Sequence, residues 1–185
     1  LDFDSVKKFN AIIGSGGLVV MDENTCMVDV AKFFMGFTQR ESCGKCGPCR
    51  IGTKRMLELL NKITRGEGRM EDLDKLEETA KFIQSRSLCG LGKSAPLPVI
   101  STLQNFRHEY EEHILENKCR AHVCEAMKVY SIDPDKCKGC TKCARNCPVN
   151  AITGEKKEPH TIDQTKCIKC GTCMDNCSFG AISIK

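Results

Sequence analysis

The fold turns on two stretches, "DPDKCKGCTKCARNCPVNAI" at 133–152 and "DQTKCIKCGTCMDNCSFGAI" at 163–182, which align without a gap across their whole length. Each reads CxxCxxCxxxC, with Cys137, Cys140, Cys143 and Cys147 in the first and Cys167, Cys170, Cys173 and Cys177 in the second. Such self-similarity makes each half one small structural unit. Neither half has the apolar material to bury a core alone, so the pair is expected to close on whatever its cysteines bind.

The spacing selects the bound species. A tetrahedral zinc ion needs only two CxxC pairs and leaves the third evenly spaced cysteine of each half without work. A run of this spacing followed by proline, as at Cys147–Pro148, is the bacterial two-cluster ferredoxin pattern, in which the fourth cysteine of one half ligates the cluster of the other. One [4Fe-4S] cluster is therefore expected on Cys137, Cys140, Cys143 and Cys177, and a second on Cys167, Cys170, Cys173 and Cys147. Ser178 stands where the second half would repeat the proline, which alters a turn and removes no ligand.

The chain has 185 residues, 41% of them hydrophobic, and so does not need disulfides to supplement a small core. Its 15 cysteines are an odd number arranged in CxxC spacings, which fits metal ligation in a reducing cytoplasm. "LDFDSVKKFN" at the start is charged and lacks the apolar run of a signal peptide, and no stretch reaches the length of a membrane span. The first residue is not methionine, which is consistent with the tail of a longer polypeptide. A formal charge of +4 would suit nucleic acid. An oxidised four-iron cluster with its four thiolates carries about −2, so three clusters bring the total to about −2. With 5% aromatic residues and no Trp, a nucleic-acid surface loses its support.

Ahead of the repeat, four segments carry helical periodicity. Asn24 or Thr25 is expected to cap a helix with apolar positions Met27, Val30, Phe33, Phe34 and Phe37. "GTKRMLELLNKI" aligns Met56, Leu59, Leu60 and Ile63, and "MEDLDKLEETAKFIQS" aligns Leu73, Leu76, Ala80 and Ile83 behind an acidic first turn. "APLPVISTLQNFRHEYEEHILE" starts on prolines and is apolar at Ile100, Leu103, Phe106 and Tyr110. Four such helices with short connections predict a bundle over 23–115, a connector over 116–131 and the ferredoxin-like module over 132–185. The fold class is α+β: a four-helix bundle holding one [4Fe-4S] cluster, followed by a two-[4Fe-4S] ferredoxin-like domain. "NAIIGSGGLVVMD" fits neither GxGxxG nor GxxxxGK[ST] and reads as a turn between two strands.

"ESCGKCGPCRIG" at 41–52 holds three more cysteines, Cys43, Cys46 and Cys49, and lacks a fourth ligand. Cys89, in "SLCGLG" after the third helix, can meet that triplet at one end of an antiparallel bundle, with glycines at 90 and 92 allowing close backbone approach. The triplet also opens a helix, whose N-terminal dipole favours an anionic cluster.

"GSGGLVVMDENTCMVDVAKFF", "ESCGKCGPCRIG" and "SLCGLG" resemble the C-terminal part of the flavin-bearing, NADH-binding subunit of complex I and its relatives, over roughly residues 9 to 115. The resemblance implies a [4Fe-4S] cluster on Cys43, Cys46, Cys49 and Cys89. It makes residues 1–22 the last strands of a truncated ubiquitin-like domain and puts the FMN- and NAD(P)-binding domain upstream of this chain. No catalytic or nucleotide-binding residue is then expected here. The appended two-cluster module is similar instead to the beta subunit of NAD(P)-linked, electron-bifurcating iron hydrogenases, and related formate dehydrogenase subunits share the arrangement. The partners this implies are a thioredoxin-like [2Fe-2S] subunit, a hydrogenase catalytic subunit and ferredoxin.

Three cysteines remain: Cys26, Cys119 and Cys124. Cysteine is often buried as a small hydrophobe, and Cys26 sits next to the apolar stripe of the first helix. Cys119 and Cys124 have a spacing found in zinc sites, and with His113 and Cys26 they would make a closed structural Cys3His tetrahedron, His122 being the alternative histidine. Lys45, Arg50, Lys138, Lys142 and Lys169 are candidates to tune cluster potential, though most serve solubility. The expectation is an electron relay between flavin and ferredoxin or partner subunits; the competing class is a zinc-rich interaction module without redox chemistry.

Overall fold

A computed structural model describes residues 2–7 and 16–184. The chain divides into two compact units, Leu1–Met127 and Lys128–Lys185. The connector expected over 116–131 is thus shared between them. No helix among the described residues is long and apolar enough to cross a membrane.

The first unit is helical. A short α1 (Phe3–Lys7) starts after Asp2, whose carboxylate accepts the amides of Asp4 and Ser5 at 3.0 and 2.8 Å. The expected N-terminal strands are not what the described residues form. Residues 3–7 are helix, 17–22 join no sheet, and the first half of the proposed hairpin, 8–15, lies outside the described residues. Leu18, Val19 and Val20 are exposed, and a strand without a neighbouring sheet or helix to cover its apolar face is not stable.

The long helices are α2 (Met27–Glu41), α3 (Gly47–Thr64) and α4 (Met70–Arg86). In α3 and α4 the stripes fall largely where the periodicity puts them: Met56, Leu60, Ile63, Leu73, Leu76, Ala80 and Ile83 are all fully buried, while Leu59 is half-buried against the same core. In α2 the buried face is Met27, Val28, Ala31, Met35 and Gly36, rotated from the expected stripe, while Phe33 and Phe37 are exposed. The small residues allow α2 to approach α3 closely; at Gly36, an added Cβ would lie 3.9 Å from Leu57. The cap of α2 also shifts, to Cys26, whose Sγ accepts the Asp29 amide at 3.4 Å.

The fourth expected helix is broken into pieces. A short α5 (Gly90–Ser94) follows Cys89, and after it come α6 (Leu97–Asn105), α7 (Arg107–Glu111) and a π-helical turn at Glu112–Glu116. The break between α6 and α7 is Phe106, at φ −132° and ψ 32°, outside the helical range. Val99, Leu103 and Tyr110 still face the core, and the Tyr110 hydroxyl pairs with Thr102 Oγ1 at 2.8 Å.

The second unit is a pair of matching halves. Strand β1 (Tyr130–Ile132) pairs antiparallel with β4 (Ile182–Ile184), with Ser131 opposite Ser183, and β2 (Ile152–Thr153) pairs with β3 (Thr161–Ile162). Two single-turn helices, α8 (Lys142–Arg145) and α9 (Thr172–Asp175), carry Cys143 and Cys173 inward. The core holds both of these cysteines together with Tyr130, Ile152 and Ile182.

Candidate metal centres

Four cysteines line each of two cavities in the second unit. One is bounded by Cys137, Cys140, Cys143 and Cys177, with Ile132 and Ile182 against it. The other is bounded by Cys147, Cys167, Cys170 and Cys173, with Ile152 and Ile162. The spacing rule names the same quartets, each drawing its last cysteine from the opposite half. The exchange follows from the antiparallel strand pairs, which bring the end of each half beside the start of the other. Backbone amides already point at sulfur: Ala151 N donates to Cys147 Sγ at 3.2 Å and Ala181 N to Cys177 Sγ at 3.4 Å. Burial pushes the Cys173 thiol up to about 11, with the Cys167 and Cys170 sulfurs adding to the shift. Burial raises the Cys143 thiol in the other hollow as well.

In the first unit, Cys46 caps α3 and Cys49 lies in its first turn behind Pro48. The Leu88 and Cys49 amides face the Cys46 sulfur and hold its thiol below the usual value, which sets Cys46 beside the residue preceding Cys89. Cys89 in turn caps α5, while Cys43 and Cys89 are exposed. Gly92 is required here, since a Cβ would stand 2.6 Å from Ser87 Cβ and 3.3 Å from Cys49 Cβ. Ser87 Oγ, buried near Cys49, has no hydrogen-bond partner. A bound group with sulfur acceptors would satisfy it. Periodicity gives no hint of Ser87; a polar residue just before a cysteine loop is the available signal.

The remaining thiols converge as well. The ligand atoms of Cys26, His113, Cys119 and Cys124 all lie within 4.8 Å of one another, and all four residues are buried. Among the described residues no other such group is gathered so tightly. His113 Nε2 is 3.4 Å from both Cys26 Sγ and Cys124 Sγ, close to the roughly 3.5 Å that tetrahedral zinc with ordinary Zn–S and Zn–N bonds requires. His113 Nδ1 donates to the Glu109 carbonyl at 2.7 Å, leaving Nε2 as the free ligand atom. His122 is not in the group.

His113, Cys119 and Cys124 share protons unevenly. Burial opposes charge on His113, but hydrogen bonds with Cys119 and Cys26 outweigh it and push the imidazole up to about 10. Hydrogen bonds with Cys124 and Cys26 lower the Cys119 thiol, while those with Cys119 and Cys26 raise Cys124. Two outer contacts brace the site, and neither is legible from spacing. The Glu109 carboxylate accepts the Met27 amide at 2.9 Å, next to Cys26, and Glu112 forms a bidentate ion pair with Arg120, next to Cys119.

Known proteins resemble this chain in two regions. Residues 29–113 match the NADH-ubiquinone oxidoreductase-F iron-sulfur binding region, and residues 136–181 match a 4Fe-4S dicluster domain. Over residues 29–113 the chain thus resembles the iron-sulfur binding region of NADH-ubiquinone oxidoreductase-F. To that region it joins the dicluster domain. The chain is 54% identical over 160 residues to the NADP-reducing hydrogenase subunit HndC of Solidesulfovibrio fructosivorans, an alignment that covers 86% of this chain and 33% of the relative. It is 44% identical over 119 residues to an NADH-quinone oxidoreductase subunit of Streptomyces coelicolor, covering 64% of this chain and 26% of the relative. In structure it resembles a chain of an NAD+-reducing [NiFe]-hydrogenase in the H2-reduced state, with a TM-score of 0.50 and 34% identity over 51% of this chain and 17% of that one. The chain therefore spans about a third or less of each of these relatives.

Proposed function

We propose that this chain is the electron-transfer segment of an NAD(P)-linked flavin and iron-sulfur oxidoreductase, relaying single electrons between flavin and ferredoxin or partner subunits. The observation that carries this reading is the pair of cavities, each lined by the four cysteines that the two-cluster pattern selects. Their thiolates would hold two [4Fe-4S] clusters, and Cys43, Cys46, Cys49 and Cys89 a third, at one end of a four-helix arrangement of α2, α3, α4 and the segmented fourth helix. Bound in this way, each cluster takes up and gives up one electron. The chain's own part is to supply thiolates, point amides at sulfur and keep water from the buried side.

Within that class, an electron-bifurcating hydrogenase is the favoured parent, since the relative named as an NADP-reducing hydrogenase subunit aligns with 86% of this chain. An NAD-dependent formate dehydrogenase is the alternative parent. FMN and NAD(P) would bind an upstream domain, and the partners would be a thioredoxin-like [2Fe-2S] subunit, a hydrogenase catalytic subunit and ferredoxin. Cys26, His113, Cys119 and Cys124 would hold one structural zinc, with no position open for water or substrate. The test is electron paramagnetic resonance of the anaerobically prepared chain before and after dithionite. Cluster signals that appear on reduction are expected; a colourless, silent protein would support the zinc-rich interaction module instead.

A further inference from the structure

The chain leaves α2 at Ser42, whose backbone is extended at φ −64° and ψ 124°, and turns back through Gly44 at φ +73° before α3 begins. A positive φ of this kind suits glycine, so the sequence itself provides the turn. The turn brings the Ser42 hydroxyl to Cys49 in the first turn of α3, with Oγ 3.3 Å from Cys49 Sγ. Cys49 is the buried member of the opening triplet, at 4% exposure, whereas Cys43 is exposed.

The hydrogens of this contact can be placed. A hydroxyl offers one hydrogen and two lone pairs. The Gly44 amide donates to Ser42 Oγ at 3.3 Å and occupies one lone pair, so the hydroxyl hydrogen is left for the sulfur. A cysteine bound to metal is a thiolate, which has no hydrogen and can only accept. With Cys49 as a ligand, the hydroxyl is therefore the donor, and serine keeps its ordinary protonation state. Cys46, by contrast, is faced by backbone amides, those of Leu88 and Cys49.

On the reading above that Cys43, Cys46, Cys49 and Cys89 hold a [4Fe-4S] cluster, we propose that Ser42 donates its hydroxyl hydrogen to Cys49 Sγ and so raises that cluster's reduction potential. Reduction adds one negative charge, which the sulfurs share, and a hydrogen bond to the more negative sulfur is the stronger one. The bond therefore favours the reduced form. Ser42 acts through the ligand rather than on iron, as a positioning residue. A serine that only ended α2 would affect folding and leave the potential alone.

The test is an anaerobic redox titration of the full chain with dithionite, followed by electron paramagnetic resonance, with iron measured on each sample. The step of this cluster is identified by its absence from Cys89→Ala, and the two ferredoxin-type clusters serve as internal references. Ser42→Ala suits the backbone at 42 and removes the donor. It is expected to lower this one step about threefold in reduction equilibrium, or about 28 mV at 59 mV per tenfold for one electron. Ser42→Thr keeps the hydroxyl and is expected to restore the native potential. A native potential in Ser42→Ala at full iron content overturns the proposal, and so does a Thr variant that falls as far as the Ala one. If Ser42→Ala does not load this cluster, Ser42→Gly, which also lacks a donor, decides alone. About eight irons in the native chain, with no step lost in Cys89→Ala, would instead overturn the cluster reading at this site, and this proposal with it.

Discussion

His113 shows how neighbours poise one side chain as a candidate ligand. The Glu109 carbonyl takes the Nδ1 hydrogen and the Glu109 carboxylate takes the Met27 amide, so a single residue orients both the histidine and the Cys26 end of the site. Replacing Glu109 by Ala removes only the carboxylate contact and is expected to speed zinc release about 10–100-fold, as loss of outer contacts at metal sites commonly does. A chelator competition followed by absorbance measures this, with Glu109→Gln, which keeps an acceptor oxygen, expected to stay near the native rate. His113→Ala removes a ligand outright and should lower zinc by about one per chain without changing iron. The three candidate cysteine ligands are legible in the sequence by subtraction, because the other cysteines have places in the repeat and in the opening motif with Cys89, and His113 by its place six residues before Cys119. Glu109 is not, since the amide it holds lies 82 residues away.

At the scale of elements, α3 and α4 are coupled by a buried carboxylate. Asp72 is 2% exposed, accepts the Arg69 amide at 2.9 Å at the start of α4, and receives Lys62 Nζ from α3 at 2.7 Å. Burial by itself would raise its pKa, but Lys62, the Arg69 amide and Lys75 together hold it below 3.8. A depressed folded-state pKa stabilises the fold above the unfolded value, and the contribution is lost as pH falls through the lower folded value. Asp72→Ala is expected to cost roughly 1–3 kcal/mol at neutral pH in denaturant unfolding, and the difference from the native chain should shrink below about pH 3.8. At the cluster end, Gly92→Ala pushes a methyl into Ser87 and Cys49. It should lower iron by about four atoms per chain while the dicluster unit keeps its own.

The helices of the first unit illustrate where periodicity informs and where it fails. α3 and α4 bury the expected residues because their apolar stripes are unambiguous. α2 is apolar on more than one face, so the sequence offers a Phe stripe while packing selects the small residues Ala31 and Gly36. The break at Phe106 carries no proline or glycine to announce it. Beyond that break, the chain brings His113 and Glu109 against Cys26 and Met27 at the start of α2.

At the scale of the whole molecule, the dicluster unit is the most legible part, because a gapless repeat states both its symmetry and its ligand exchange. The N-terminal strip is the least legible: an apolar run with a glycine turn suggests strands, but the described residues 16–22 find no sheet to join. The two regions are matched by separate family models, one from NADH-ubiquinone oxidoreductase-F and one for a dicluster domain, and the proposed function joins them in one electron relay. The most direct test of that claim is anaerobic iron, acid-labile sulfide and zinc analysis of the intact chain. Three clusters and one zinc site predict about twelve iron atoms, about twelve sulfides and about one zinc per chain. Several zinc atoms with little iron and no sulfide would contradict it.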